Sequence, residues 1–178
     1  MSNSKILSTK TVYQSRTFKV DTVEIERNGK VFTKDIITRS PHVMILPLTK
    51  ENELYMIREY RDVYQKTLLE VVAGYIEDNE DPLVGAKREL QEETGLTANN
   101  WKQLTTIHTS ANMNSTIHVF LAKDLTEGPS HQEEDEDIAL IKMPFEEAVK
   151  KVFDGEIFIS AYISSILLLD KLMKEGKV

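Results

Sequence analysis

No cysteine occurs among the 178 residues, which excludes disulfides and thiolate metal sites and fits a reducing cytoplasm. No apolar run reaches the roughly 20 residues that span a bilayer. The opening stretch, "MSNSKILSTK", has no hydrophobic core of the kind that marks a secretory signal, so none is expected. An excess of base is missing too. A net charge of −7 speaks against a general nucleic-acid binder, because phosphate contacts need a basic face. An anionic substrate stays compatible with that charge if a metal ion mediates. There is no repeat and no low-complexity tract beyond one acidic run. What is present, 40% hydrophobic residues, suits a single globular domain with a real core.

Strand patterns lead the chain. "DTVEIERNGKVFTKDII" alternates apolar and polar residues around Asn28-Gly29, a strong hairpin signal. "HVMILPL", "ELYMIREY" and the short, mostly apolar "TLLEVVAG" follow as further strands. A loop then leads to a helix over about 82–94, with Leu83, Ala86 and Leu90 as its core-facing stripe. "WKQLTTIHTS" and "STIHVFLAK" are strands, "EGPSHQEEDED" a loop and "IALIKM" a last strand, before helices in "PFEEAVKKVFDGE" and "SAYISSILLLDKLMK". The sum is one mixed α/β domain, sheets with helices packed on them.

The central helix carries its charge in an awkward place. Asp81-Pro82 reads as an N-cap followed by proline at the first helical position, and Gly95 as the stop. Glu89, Glu92 and Glu93 therefore share one face in the last turns, where the helix dipole is already negative. Each like-charge pair costs roughly a few tenths of a kcal/mol. Such a run is usually a solvated face. Here the acids have no basic partner among them except Arg88, which can reach Glu92 at i,i+4. Ala73-Gly74 at the end of the preceding strand also allows a backbone carbonyl to turn in close. A hard divalent cation, taking carboxylate and carbonyl oxygens, would relieve the repulsion.

Gly74, Glu80, Arg88-Glu89-Leu90, Glu92-Glu93 and Gly95-Leu96 fill every fixed position of G-x5-E-x7-R-E-U-x-E-E-x-G-U, U being aliphatic. This segment resembles the Nudix box. The resemblance implies an α/β/α sandwich that hydrolyses a nucleoside diphosphate linked to another moiety. It makes Glu89 and Glu93 metal ligands, has Glu92 help hold the metal's water, and adds the backbone carbonyl of Ala73. Arg88 and Glu80 would orient the loop and the glutamates. Mg²⁺ is the cation that oxygen-only ligands suggest, with Mn²⁺ as a substitute.

The likeness runs past the box. "MIREYRDVYQKTLLEVVAG" resembles the corresponding segment of ADP-ribose and nucleotide-sugar pyrophosphatases. There Arg61 would contact the diphosphate, since a guanidinium fork suits phosphate oxygens. Glu70 would reach the substrate or metal site, and Arg58 is a second candidate from the same strand. "HQEEDEDIALIKM" resembles the acidic loop of that branch, with Glu136 completing the metal shell and Glu134 as general base. The base role moves between box and loop within the family. The resemblance also implies a homodimer built from an N-terminal strand-rich segment, residues 1–42, ahead of the Nudix domain at 43–178. His108 and His118 lie on strands and read as structural.

One departure bears on specificity. ADP-ribose-specific relatives carry a Pro-Gly pair downstream of the box, and here Ser110-Ala111 stands about there. The expectation is therefore the broader one: metal-dependent cleavage of nucleoside diphosphate sugars to a nucleoside monophosphate and a sugar phosphate. A strictly ADP-ribose-specific enzyme is the nearest alternative. Hydrolysis of nucleoside triphosphates or dinucleoside polyphosphates is disfavoured by the long N-terminal strand region and the "EDEDI" loop. A sensor without catalysis is disfavoured because the box keeps all its glutamates.

Overall fold

The computed structural model describes residues 4–111, 113–130 and 138–178. The chain divides into two compact units. One is Met1–Pro41 with His108–Thr116, and the other is His42–Ile107 with Ile117–Val178.

In the first unit, β1 (Ser4–Gln14), β2 (Phe18–Arg27) and β3 (Lys30–Arg39) form an antiparallel meander. Asn28 and Gly29 connect β2 to β3 with φ of 54° and 73°, the turn whose twist matches that of the flanking strands. β3 then runs parallel to the first residues of β9 (Met113–Glu127), with Ile37 opposite Met113. Every residue of β1 is exposed. With neither face buried, its sequence has no alternation to betray it.

The second unit holds the main core. β4 (His42–Pro47) lies between β9, to which it is parallel, and β7 (Val72–Tyr75), to which it is antiparallel. A second sheet runs in the order β10 (Ala139–Pro144), β5 (Glu53–Arg61), β6 (Lys66–Glu70), all antiparallel. β8 (Leu96–Ser110) pairs with β9. Successive residues point to opposite faces, and both faces are covered. Met44 and Leu46 pack with Val119 and Leu121 against α2 (Phe145–Phe153) and α3 (Ser160–Lys174), through Ala148, Tyr162, Ile166 and Leu169. Val43 and Ile45 pack with Phe120 against Ala86 and Leu90 of α1 (Pro82–Thr94). The result is an α/β/α sandwich. Among the described residues no helix is long and apolar enough to cross a membrane.

The stretch "TLLEVVAG", expected as one strand, is two. It breaks at Val71, which is 1% exposed, and β6 and β7 join different sheets. Leu68, Leu69, Val71 and Val72 are all buried. A continuous apolar run gives no hint of where the chain changes sheets.

Candidate active site

The carboxylate helix is fixed at both ends. Asp81 Oδ1 accepts from the amides of Leu83 at 2.9 Å and Val84 at 3.4 Å. Pro82 opens the helix, and Gly95 closes it at φ 72°, its amide donating to the Gln91 carbonyl. These are the roles such residues favour at helix ends. Ala86 and Leu90, both 0% exposed, seat the apolar stripe on the sheet and so set the direction of the acids. Glu93 is buried, while Glu92 is half-exposed.

Arg88 gathers the site. Its Nε and Nη2 each donate to Glu80 at 3.0 Å, and Nη2 also to the Tyr75 carbonyl at 2.9 Å. Nη1 donates to Glu89 Oε1 at 2.7 Å and to Glu92 Oε2 at 3.0 Å. The Glu80 hydrogen bonds, ahead of those with Glu89 and Glu92, push the guanidinium's pKa up. In return Arg88 holds the Glu80 carboxyl below its usual range, helped by the Glu77 amide. Sequence spacing gave Arg88 one partner, Glu92; the structure gives it three acids and a carbonyl. The repulsion between Glu89 and Glu92 is therefore relieved within the chain, before any cation is invoked.

Two glycines make room for this cluster. A Cβ on Gly74 would lie 1.9 Å from the carboxyl carbon of Glu89, so that carboxylate nests against the β7 backbone directly after Ala73. A Cβ on Gly85 would lie 2.9 Å from Glu80 Oε2. Among the described residues, no group of three acids or imidazoles is gathered tightly enough to hold a metal ion as it stands. The chemistry of the donors still fits a hard divalent cation. The set is all oxygen, and the cradle at Gly74 brings a carboxylate to the Ala73-Gly74 backbone. Glu89, Glu92, Glu93 and the Ala73 carbonyl are the residues that would hold it.

A second cluster surrounds Arg61. Ile57, Glu59 and Arg61 alternate onto one face of β5, and β6 sets Glu70 opposite Ile57. Arg61 Nε and Nη2 donate to the two oxygens of Glu70 at 2.8 and 2.7 Å, and Nη1 pairs with Glu59 at 2.7 Å. Glu70 is 1% exposed and also accepts from the Tyr162 hydroxyl at 2.7 Å. Glu70 thus stands beneath Arg61 as its support, while the Arg61 side chain remains 40% exposed. Arg58, three residues earlier, faces the other side of β5 and pairs loosely with Glu156 at 3.6 Å. The structure brings Arg61 and Glu70 together and leaves Arg58 apart. Glu59 and Tyr162 escaped sequence reasoning. Glu59 was readable from its i,i+2 spacing to Arg61, whereas Tyr162 lies in an apolar helix far along the chain.

Glu134 and Glu136 lie outside the described residues. The flanking residues are tied to α1. A Cβ on Gly95 would lie 2.2 Å from the Gly128 carbonyl oxygen and 2.9 Å from the Ser130 nitrogen, and Ile138 packs in the cluster of Ala86 and Leu90. At the other end of α1, Asp81, Leu83, Trp101, Gln103, His118 and Phe120 line an open groove of about 370 Å³. His118 Nδ1 stands 3.2 Å from Gln103 Nε2, and burial lowers its pKa. None of the expected site residues lines that groove.

Residues 38–161 match the NUDIX domain family, and the chain belongs to it. It is 31% identical to the ADP-ribose pyrophosphatase of Bacillus subtilis (strain 168), over 97% of this chain and 100% of that protein. It is 32% identical to the methanol dehydrogenase activator of Bacillus methanolicus, over 93% of this chain and 91% of that one. The crystal structure of an ADP compounds hydrolase superposes with a TM-score of 0.86 at 27% identity, covering 98% of this chain and 97% of its own.

Proposed function

We propose that the protein hydrolyses the diphosphate bond of nucleoside diphosphate sugars, ADP-ribose among them, giving a nucleoside monophosphate and a sugar phosphate. Family membership makes it a hydrolase of pyrophosphate bonds. The observation that carries the reading is the pairing of the complete, Arg88-organised box with a half-exposed guanidinium held on a buried carboxylate, an arrangement suited to diphosphate oxygens.

Divalent ions, Mg²⁺ for preference, would neutralise the diphosphate's charge and acidify water at this site. Glu89, Glu92, Glu93 and the Ala73 carbonyl would hold them, joined by Glu136. Arg61 binds and orients the diphosphate, and Glu70 and Glu59 fix Arg61. Arg88 and Glu80 keep the box carboxylates aligned. Glu134 takes the proton from the attacking water, a role supported by the attachment of both flanks of its segment to α1. We further read the protein as a homodimer joined through residues 1–42. The support is β1, exposed along its whole length with Ile6, Leu7, Val12 and Tyr13 in the open. Light scattering giving a 20.4 kDa monomer would refute that.

The test of function is a product-resolved panel of nucleotide sugars, nucleoside triphosphates and dinucleoside polyphosphates with Mg²⁺. ADP-ribose should yield AMP and ribose 5-phosphate. The highest kcat/KM on a triphosphate would overturn the proposal.

A further inference from the structure

Tyr162 is the unexplained member of the Arg61 cluster. Its ring is 7% exposed and packs on the face of the sheet that α3 covers. Its hydroxyl nevertheless ends on a charged atom, Glu70 Oε2, at 2.7 Å. That same oxygen accepts from Arg61 Nη2 at 2.7 Å, and the other one from Arg61 Nε at 2.8 Å. Glu70 is too buried for water to substitute. Among the described residues three donors fix its carboxylate plane, and of these only Tyr162 comes from outside the β5–β6 hairpin. Burial, then the charges of Glu70 and, more weakly, Glu93, keep the phenol protonated and so always a donor.

We propose that Tyr162 is a positioning residue of the reaction: its hydroxyl locks the Glu70 carboxylate, and Glu70 in turn presents Arg61 in one orientation to the diphosphate. The proposal rests on the reading of Arg61 as a diphosphate contact. A guanidinium held on both oxygens of a fixed carboxylate has few rotamers left, so its outward N–H groups are preorganised for phosphate. Without the phenol, Glu70 can turn about its terminal bond and Arg61 turns with it. Binding in ground state and transition state should suffer alike, which raises KM and spares kcat.

The experiment is a double-mutant cycle of Tyr162→Phe and Arg61→Gln, with ADP-ribose turnover in Mg²⁺ and the Kd of α,β-methylene ADP-ribose by calorimetry. The ring is retained in Tyr162→Phe, so apo melting should stay cooperative. KM and Kd should rise about tenfold, the lower end for an outer partner, with kcat within about threefold. Tyr162→Phe should add no further rise in the Arg61→Gln background, because its effect runs through Arg61. Wild-type KM and Kd in Tyr162→Phe, with both raised in Arg61→Gln, would overturn the proposal alone. So would equal, additive rises in both backgrounds. Wild-type KM in Arg61→Gln would overturn the reading of Arg61 and the proposal together. Loss of cooperative melting in Tyr162→Phe would make the hydroxyl a requirement of the fold itself and would likewise overturn the proposal.

Discussion

Gly74→Ala isolates the cradle beside the box. The position does not use positive φ, so alanine brings no backbone strain, and its effect comes from the added methyl. That methyl would stand 1.9 Å from the Glu89 carboxyl carbon, where ordinary contact begins at 3.4 Å. The carboxylate must withdraw by the difference, 3.4 − 1.9 = 1.5 Å. Withdrawal stretches the 2.7 Å bond from Arg88, while Arg88 keeps Glu80 and Glu92. Loss of one charge-assisted hydrogen bond costs about 1.5–3 kcal/mol when fully buried. These side chains are 25% and 13% exposed, so about 1–2 kcal/mol is expected. For a chain of this size that is a fall in apo Tm of about 2–8 °C. Activity should suffer far more, since a displacement near 1 Å at a reacting centre costs about a hundredfold. The assay is apo thermal unfolding beside kcat titrated against Mg²⁺. A folded Gly74→Ala protein with wild-type kcat and wild-type metal dependence would refute the role given to Glu89 and its cradle.

Other expectations follow from the same geometry. Glu136→Gln should weaken metal affinity, so excess Mg²⁺ should restore part of the activity. Glu134→Gln should lose about a hundred- to ten-thousandfold in kcat, with no rescue by metal; full kcat there, with loss in Glu92→Gln, would put the base in the box. The lowered pKa of Glu80 stabilises the fold fully above the unfolded value of about 4.3 and is lost as pH falls through the folded value. Apo Tm should therefore fall less steeply below about pH 4.5 in Glu80→Gln than in wild type; parallel curves would contradict the assignment.

The box was the most legible part of the chain because its parts are local. N-cap, proline and glycine stop mark the ends, the apolar stripe follows the 3.6-residue period, and α1 begins and ends where those signals put it. The Asn28-Gly29 hairpin was legible for the same reason. What spacing along the helix could not convey was the reach of Arg88, whose bonds to Glu80 and the Tyr75 carbonyl cross the loop before the helix. The Arg61 cluster was half legible. Arg61 and Glu70 were singled out through the family resemblance of their segment, but their direct pairing depends on the register of β5 against β6. Tyr162 was invisible, because 92 residues separate it from Glu70. β1 was hidden for the opposite reason, since it buries nothing within its own chain.

The most direct test of the whole scheme is kcat of Glu93→Gln on ADP-ribose across an Mg²⁺ titration, with cooperative apo melting as the control for folding. Glutamine keeps the shape of this buried side chain and removes the charge that would hold the cation. Turnover should fall by several orders of magnitude, on the order of the loss of an essential ligand. Turnover near the wild-type rate in a folded Glu93→Gln protein would contradict it.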